Sequence, residues 1–135
     1  MAQVPILCGT WNVGEKRGSA ASVFQWLGCR CKGVGLVVAG LQEIEMGGGS
    51  VAIAAAKDRI AASLQERGNA NAQYWSGMVQ QALEAGEPTA GWERVGLRQM
   101  SGILLLVFAR RELLPHIGRV RCQIHWGSSS AYLSR

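Results

Sequence analysis

Long apolar runs are missing from this chain: the longest, Ile103–Ala109, falls far short of the ~20 residues that a membrane-spanning helix needs. Blocks of like charge are missing too. No run of five or more acidic or basic residues occurs among the 135, which excludes the charged tails that bind polyanions by themselves. The start, Met1-Ala2-Gln3-Val4-Pro5, lacks a basic region followed by a long apolar one, so no secretory leader is expected. The four cysteines, Cys8, Cys29, Cys31 and Cys122, are then expected as reduced thiols in a cytoplasmic setting, with Cys8 as a small buried hydrophobe. Cys29-Arg30-Cys31 with Cys122, His116 and His125 does not make a zinc set, because zinc sites carry closely spaced ligand pairs on both sides and only one such pair exists. His116 follows Pro115 and His125 lies near the end of the chain; both read as surface histidines. Repeats and low-complexity linkers are also absent, which leaves one domain without an internal boundary.

What is present is an apolar fraction of 48% in 135 residues, enough for one core. The net charge of +5 and pI of about 9.4 favour an anionic partner such as a phosphorylated small molecule, an acidic lipid surface or nucleic acid. Ile6–Val13 and Gly33–Leu41 read as strands, the second nearly continuous in apolar residues, the pattern of a parallel strand buried on both faces. Between them Ser19 is a good helix N-cap, Val23, Phe24 and Leu27 fall on one helical face, and Gly28 is placed to stop the helix in a left-handed C-cap. This is a βαβ unit, and its two strands run parallel with their C-terminal ends on one sheet edge. Asn12 and Glu43 stand at those ends. An amide beside a carboxylate suits Mg²⁺, which takes oxygen ligands and keeps waters that a phosphate can displace. Each has a plainer explanation, Asn12 as a turn cap and Glu43 as a solvated loop residue, and Glu45 is close enough to take the place of Glu43.

Gly47-Gly48-Gly49 lacks the Gly-Lys-Ser/Thr ending of a phosphate loop and has no strand leading directly into it. Ser50 to Gly68 is expected as a helix, as is Asn71 to Ala85 with Trp75, Met78, Val79, Ala82 and Leu83 on one face, ended by Gly86 and Pro88. Three further strands are expected at Trp92–Leu97, Gly102–Arg110 and Ile117–Ile124, antiparallel to their neighbours because each break carries a turn signal. The small polar residues 125–135 are expected to fray.

Three strings, Gly9-Thr10-Trp11-Asn12-Val13, Val37 to Met46 and Leu97 to Leu105, in this order and spacing, resemble the first half of inositol polyphosphate 5-phosphatase catalytic domains, most of all the plant-type members. The resemblance covers Ile6 to Val120 and implies a partial four-layer α/β/β/α sandwich of the endonuclease/exonuclease/phosphatase fold, N-terminal half only, over residues 5–124. It implies Mg²⁺-dependent hydrolysis of the 5-phosphate of inositol phosphates or phosphoinositides, with Glu43 as the metal-binding glutamate and Asn12 helping to hold metal and phosphate. Peripheral contact with an acidic membrane is compatible with such a substrate, and nucleic acid is not expected. The family's later segments, a Gly-Asn-Lys-Gly segment, a Ser-His-Leu strand, a Gly-Asp-Xaa-Asn motif and a Pro-Ala-Trp-Cys-Asp-Arg motif, are not found after Val120. The chain therefore reads as an amino-terminal portion that does not turn over substrate alone. A truncated, non-catalytic binding module is the alternative, and a nuclease-like member of the same fold the weaker one.

Overall fold

A computed structural model of the chain describes residues 3–45 and 67–121. Strand β1 (Ile6–Asn12) leads into helix α1 (Ala20–Trp26), a 3-10 turn (Gly28–Arg30) and strand β2 (Leu36–Gln42). Helix α2 (Ala70–Gly86), a second 3-10 turn (Pro88–Ala90), the hairpin β3 (Glu93–Met100) and β4 (Ile103–Ala109), and a third 3-10 turn (Arg111–His116) follow. The described strands form one four-stranded sheet in the order β1-β2-β4-β3. β1 and β2 are parallel, with Ile6 opposite Leu36 and Asn12 opposite Gln42. β4 runs antiparallel to both β2 and β3.

Strand residues alternate between two faces, and the faces differ. Val37, Ala39, Leu41, Leu104, Leu106 and Phe108 are fully buried under α1 and α2. On the opposite face Ile6 of β1 is 57% and Ile103 of β4 49% exposed, and β2 alternates between buried and half-buried residues, so it is fully buried on one face rather than on two. Cys8 shares the phase of Ile6 and is exposed; among the described cysteines the buried thiol is Cys31, which corrects the sequence expectation. Burial pushes the Cys31 thiol above its ordinary value, and the Glu87 charge adds to the shift.

Ser19 caps α1 as its type requires, its hydroxyl accepting from the Ser22 amide at 3.1 Å. Val23 and Leu27 face the core, whereas Phe24 is exposed. Gly28 takes no left-handed φ. Its need is space: a Cβ there would meet the Ala82 carbonyl oxygen of α2 at 2.4 Å, and one at Gly86 would meet the Gly28 carbonyl oxygen at 1.9 Å. The two glycines let α2 touch the end of α1 backbone to backbone. Along the α2 face Trp75, Val79, Ala82 and Leu83 are buried, and Trp75 meets Trp11 edge to face at 5.8 Å.

The helix expected from Ser50 and the tail from 125 lie outside the described residues, Arg67 and Gly68 excepted; Gly68 has φ +68°. The expected strand Ile117–Ile124 is not present over 117–121. Pro115 enters the 3-10 turn that ends β4, and the chain leaves the ladder there instead of turning back into it.

At the start of β2 the sheet is locked by charge. Arg110 forms an ion pair with Glu87, both side chains being mostly covered. Arg110 also donates from Nε to the Val34 carbonyl at 2.9 Å, and Glu87 accepts from the Gly33 amide at 3.0 Å. The Arg110 hydrogen bond holds the Glu87 carboxyl below its ordinary value.

Candidate active site

Parallel pairing puts the C-terminal ends of β1 and β2 side by side, the edge of an α/β sheet at which ligand crevices form. Asn12 is the last residue of β1, and Glu43 follows the last residue of β2. Their side chains meet: Asn12 Nδ2 donates to Glu43 Oε1 at 2.8 Å. Both are exposed. The Asn12 Oδ1 accepts from the Gly14 amide at 3.0 Å, so the turn-cap reading of Asn12 and its approach to Glu43 hold together.

Each backbone around the pair is fixed from two sides. Glu43 has φ +55°, a left-handed conformation that non-glycine residues adopt at a cost of order 1–3 kcal/mol and keep only where neighbours impose it. Its carbonyl accepts from the Glu15 amide at 2.8 Å, and the next amide, Ile44, donates to the Gly102 carbonyl at 3.1 Å. The loop after Asn12 is pinned to α2, where the Tyr74 hydroxyl donates to the Gly18 carbonyl at 3.1 Å and the Arg17 guanidinium lies 4.6 Å from the Tyr74 ring centroid. Next to the pair, Gln42 Nε2 donates to Thr10 Oγ1 at 3.0 Å, a second polar link between the strand ends.

Glu45 does not share the site. Its carboxylate accepts from Asn69 Nδ2 at 2.6 Å, Asn71 Nδ2 at 3.1 Å and Gln99 Nε2 at 3.4 Å, a set of donors that turns it toward α2 and the β3–β4 hairpin. Sequence spacing left Glu43 and Glu45 interchangeable; the amide donors separate them. His116 belongs to the 3-10 turn after β4, at the other end of the sheet, because Ala109 pairs with Leu36. With seven residues in β2, that is roughly 20 Å away at ~3.3 Å per strand residue. His125 lies outside the described residues.

The donor set at the pair fits a hard divalent cation in part. The Glu43 carboxylate meets a neutral amide rather than a counter-charge, while the Asn12 oxygen is turned to the Gly14 amide; Mg²⁺ sites use one or two carboxylates and leave the rest to water and substrate phosphate. No group of three or more His, Cys, Asp or Glu residues able to hold a metal occurs among the described residues. Nor is any described helix long and apolar enough to cross a membrane.

Comparison with known proteins follows the same lines. No family model matches the chain. It is 45% identical over 115 residues to the type II inositol polyphosphate 5-phosphatase 15 of Arabidopsis thaliana, covering 85% of this chain and 10% of that protein. It is 40% identical over 115 residues to the type I inositol polyphosphate 5-phosphatase 13 of the same plant, with the same coverage. In structure it resembles the inositol polyphosphate 5-phosphatase domain of SPsynaptojanin, solved in complex with inositol (1,4)-bisphosphate and calcium ion, with a TM-score of 0.59 at 21% identity over 83% of this chain and 29% of that one. The fold is thus that of part of such a domain, and the chain spans about a tenth of the length of the curated relatives it matches. Over 115 of its residues, this chain is similar in sequence to plant inositol polyphosphate 5-phosphatases.

Proposed function

We propose that this chain carries one side of the active site of an inositol polyphosphate 5-phosphatase, with Glu43 and Asn12 as oxygen ligands for Mg²⁺. The observation that carries the reading is the 2.8 Å contact between the Asn12 amide and the Glu43 carboxylate at the C-terminal ends of the parallel strands β1 and β2. The reaction would be removal of the 5-phosphate from inositol phosphates or phosphoinositides. The bound cation would neutralise phosphoryl oxygen charge during in-line attack by water.

The residues of this chain have definite tasks in such a site. Glu43 supplies fixed negative charge, its rotation limited by the Asn12 hydrogen bond. Asn12 is held by the Gly14 amide, so that neither ligand has to be ordered when substrate arrives, which is how preorganised sites lower a barrier. No histidine stands beside the pair among the described residues, and the water-activating Gly-Asp-Xaa-Asn motif that the family resemblance leads one to expect is not found in this sequence. The 135-residue chain alone is accordingly expected to release no phosphate from inositol trisphosphate with Mg²⁺ above background.

The test is a chimera. The matching 115-residue stretch of the Arabidopsis relative is replaced by that of this chain, and Mg²⁺-dependent phosphate release from inositol trisphosphate is measured. The reading expects an active chimera that Glu43→Ala inactivates. Full activity in the Glu43→Ala chimera, or a folded chimera without activity, contradicts it.

A further inference from the structure

Glu43 needs an external reason to stay left-handed, and the residues that provide one stand behind it, outside the pair. Ile44 is bonded to the Gly102 carbonyl at the tip of the β3–β4 hairpin at 3.1 Å. One residue on, the Glu45 carboxylate is held by Asn69, Asn71 and Gln99. Gln99 is only 7% exposed and is used on both ends: its Oε1 accepts from the Asn69 amide at 2.7 Å, and its Nε2 also donates to the Ser101 carbonyl at 3.1 Å. Asn69 in turn caps α2, accepting from the Ala72 amide at 3.1 Å. One buried amide thus joins the start of α2, the hairpin tip and the strand end that bears Glu43.

We infer that Glu45 and Gln99 are positioning residues that fix the Glu43 carboxylate against Asn12 by tying the turn after β2 to α2 and to the β3–β4 hairpin. The chemistry suits that task. The described donors to the Glu45 carboxylate, Asn69, Asn71 and Gln99, are neutral amides, which orient a carboxylate without neutralising it, and a polar cluster of this kind rigidifies its surroundings only when each member is satisfied. Tightness at the hairpin supports the same reading: a Cβ on Gly102 would lie 2.4 Å from the Glu45 carbonyl oxygen and 3.5 Å from the Glu43 Cα, so the hairpin and the turn are in backbone contact. Because Glu43 as a metal ligand belongs to the proposal above, the consequence for metal binding rests on that reading, but the positioning does not.

The experiment reads the Asn12 side-chain amide by NMR in the ¹⁵N-labelled chain, without metal or substrate. In the wild type its protons sit at a hydrogen-bonded position and exchange slowly; Glu43→Ala, which removes the acceptor, marks the free position. Glu45→Ala and Gln99→Leu are expected to move the Asn12 signal to the free position with loss of its protection, and Glu45→Gln, which keeps a carbonyl acceptor for Asn69 and Asn71, to leave it near the wild-type one. A purely structural Glu45 would lower the Tm while the folded protein's Asn12 signal stayed in place, and that result overturns the inference. If Glu45→Ala does not fold, Asn71→Ala removes one of the contacts and leaves the helix cap intact; it is expected to move the signal part of the way, and no movement again overturns the inference. An inactive chimera alongside these NMR shifts would remove the phosphatase reading and leave the positioning intact.

Discussion

Two carboxylates stand at opposite ends of β2 and have opposite fates. Glu87, near the start of the strand, faces the Arg110 guanidinium in a mostly covered ion pair, and its remaining oxygen takes the Gly33 amide. Glu43, at the strand's far end, is exposed and meets the neutral amide of Asn12. An acid paired with a cation has its charge neutralised by the fold; an acid oriented by an amide still presents its charge to an incoming cation. Acidic residue type alone does not make a ligand. What separates the two ends is whether the neighbour that fixes the carboxylate is charged.

The largest expected effect probes that difference directly. In the chimera, Glu43→Ala should lower kcat by about 10²–10³-fold, the usual cost of removing one electrostatic element of a transition-state site, while Glu87→Ala should leave kcat in place and lower the melting temperature. Loss of activity from Glu87→Ala in a folded chimera would erase the contrast between the ends. Next comes packing at the Glu87 end. Gly86→Ala places a Cβ against the Gly28 carbonyl oxygen and should cost about 1–3 kcal/mol in urea unfolding, in the range of overpacked cores; an unchanged midpoint would mean that the two helix ends do not touch.

The ion pair itself sets a pH dependence. Since Arg110 lowers the Glu87 carboxyl below its ordinary 4.5, the contribution of the pair is complete above pH 4.5 and is lost as pH falls through the depressed folded value. Urea midpoints of the wild type should therefore drop more steeply below pH 4.5 than those of Arg110→Met; parallel curves would deny the pair its role. The smallest effect is at the other end, where Ser19→Ala removes the cap of α1 and should cost about 0.5–2 kcal/mol without moving the Asn12 signal.

The sequence made some of this legible and hid the rest for identifiable reasons. The parallel β1–β2 pair and the meeting of Asn12 with Glu43 follow from a strand, a capped helix and a second strand, because connection rules fix direction and the last residue of each strand fixes the edge. The Ser19 cap and the buried stripe of α2 are local patterns and were readable in the same way. Which side of β2 stays open was not, since a run such as Leu36-Val37-Val38-Ala39 is apolar on both faces and only the placement of the helices decides between them; Cys8 followed the open face for that reason. Gly28 read as a C-cap because a glycine at a helix end has that local meaning, whereas its actual reason is α2, more than 50 residues away in sequence. The strand expected at Ile117–Ile124 does not form over 117–121, where the chain leaves a 3-10 turn that contains Pro115. Glu45 was indistinguishable from Glu43 by spacing, because the amides that occupy it come from α2 and β3.

Paramagnetic Mn²⁺, used as a stand-in for Mg²⁺, tests the metal reading most directly when titrated into the ¹⁵N-labelled chain. The account predicts that the Asn12 side-chain amide and the backbone amides of Glu43 and Gly14 broaden first, that excess Mg²⁺ restores them, and that Glu43→Ala abolishes the effect. Broadening that begins elsewhere, or that persists at Asn12 in Glu43→Ala, would contradict it.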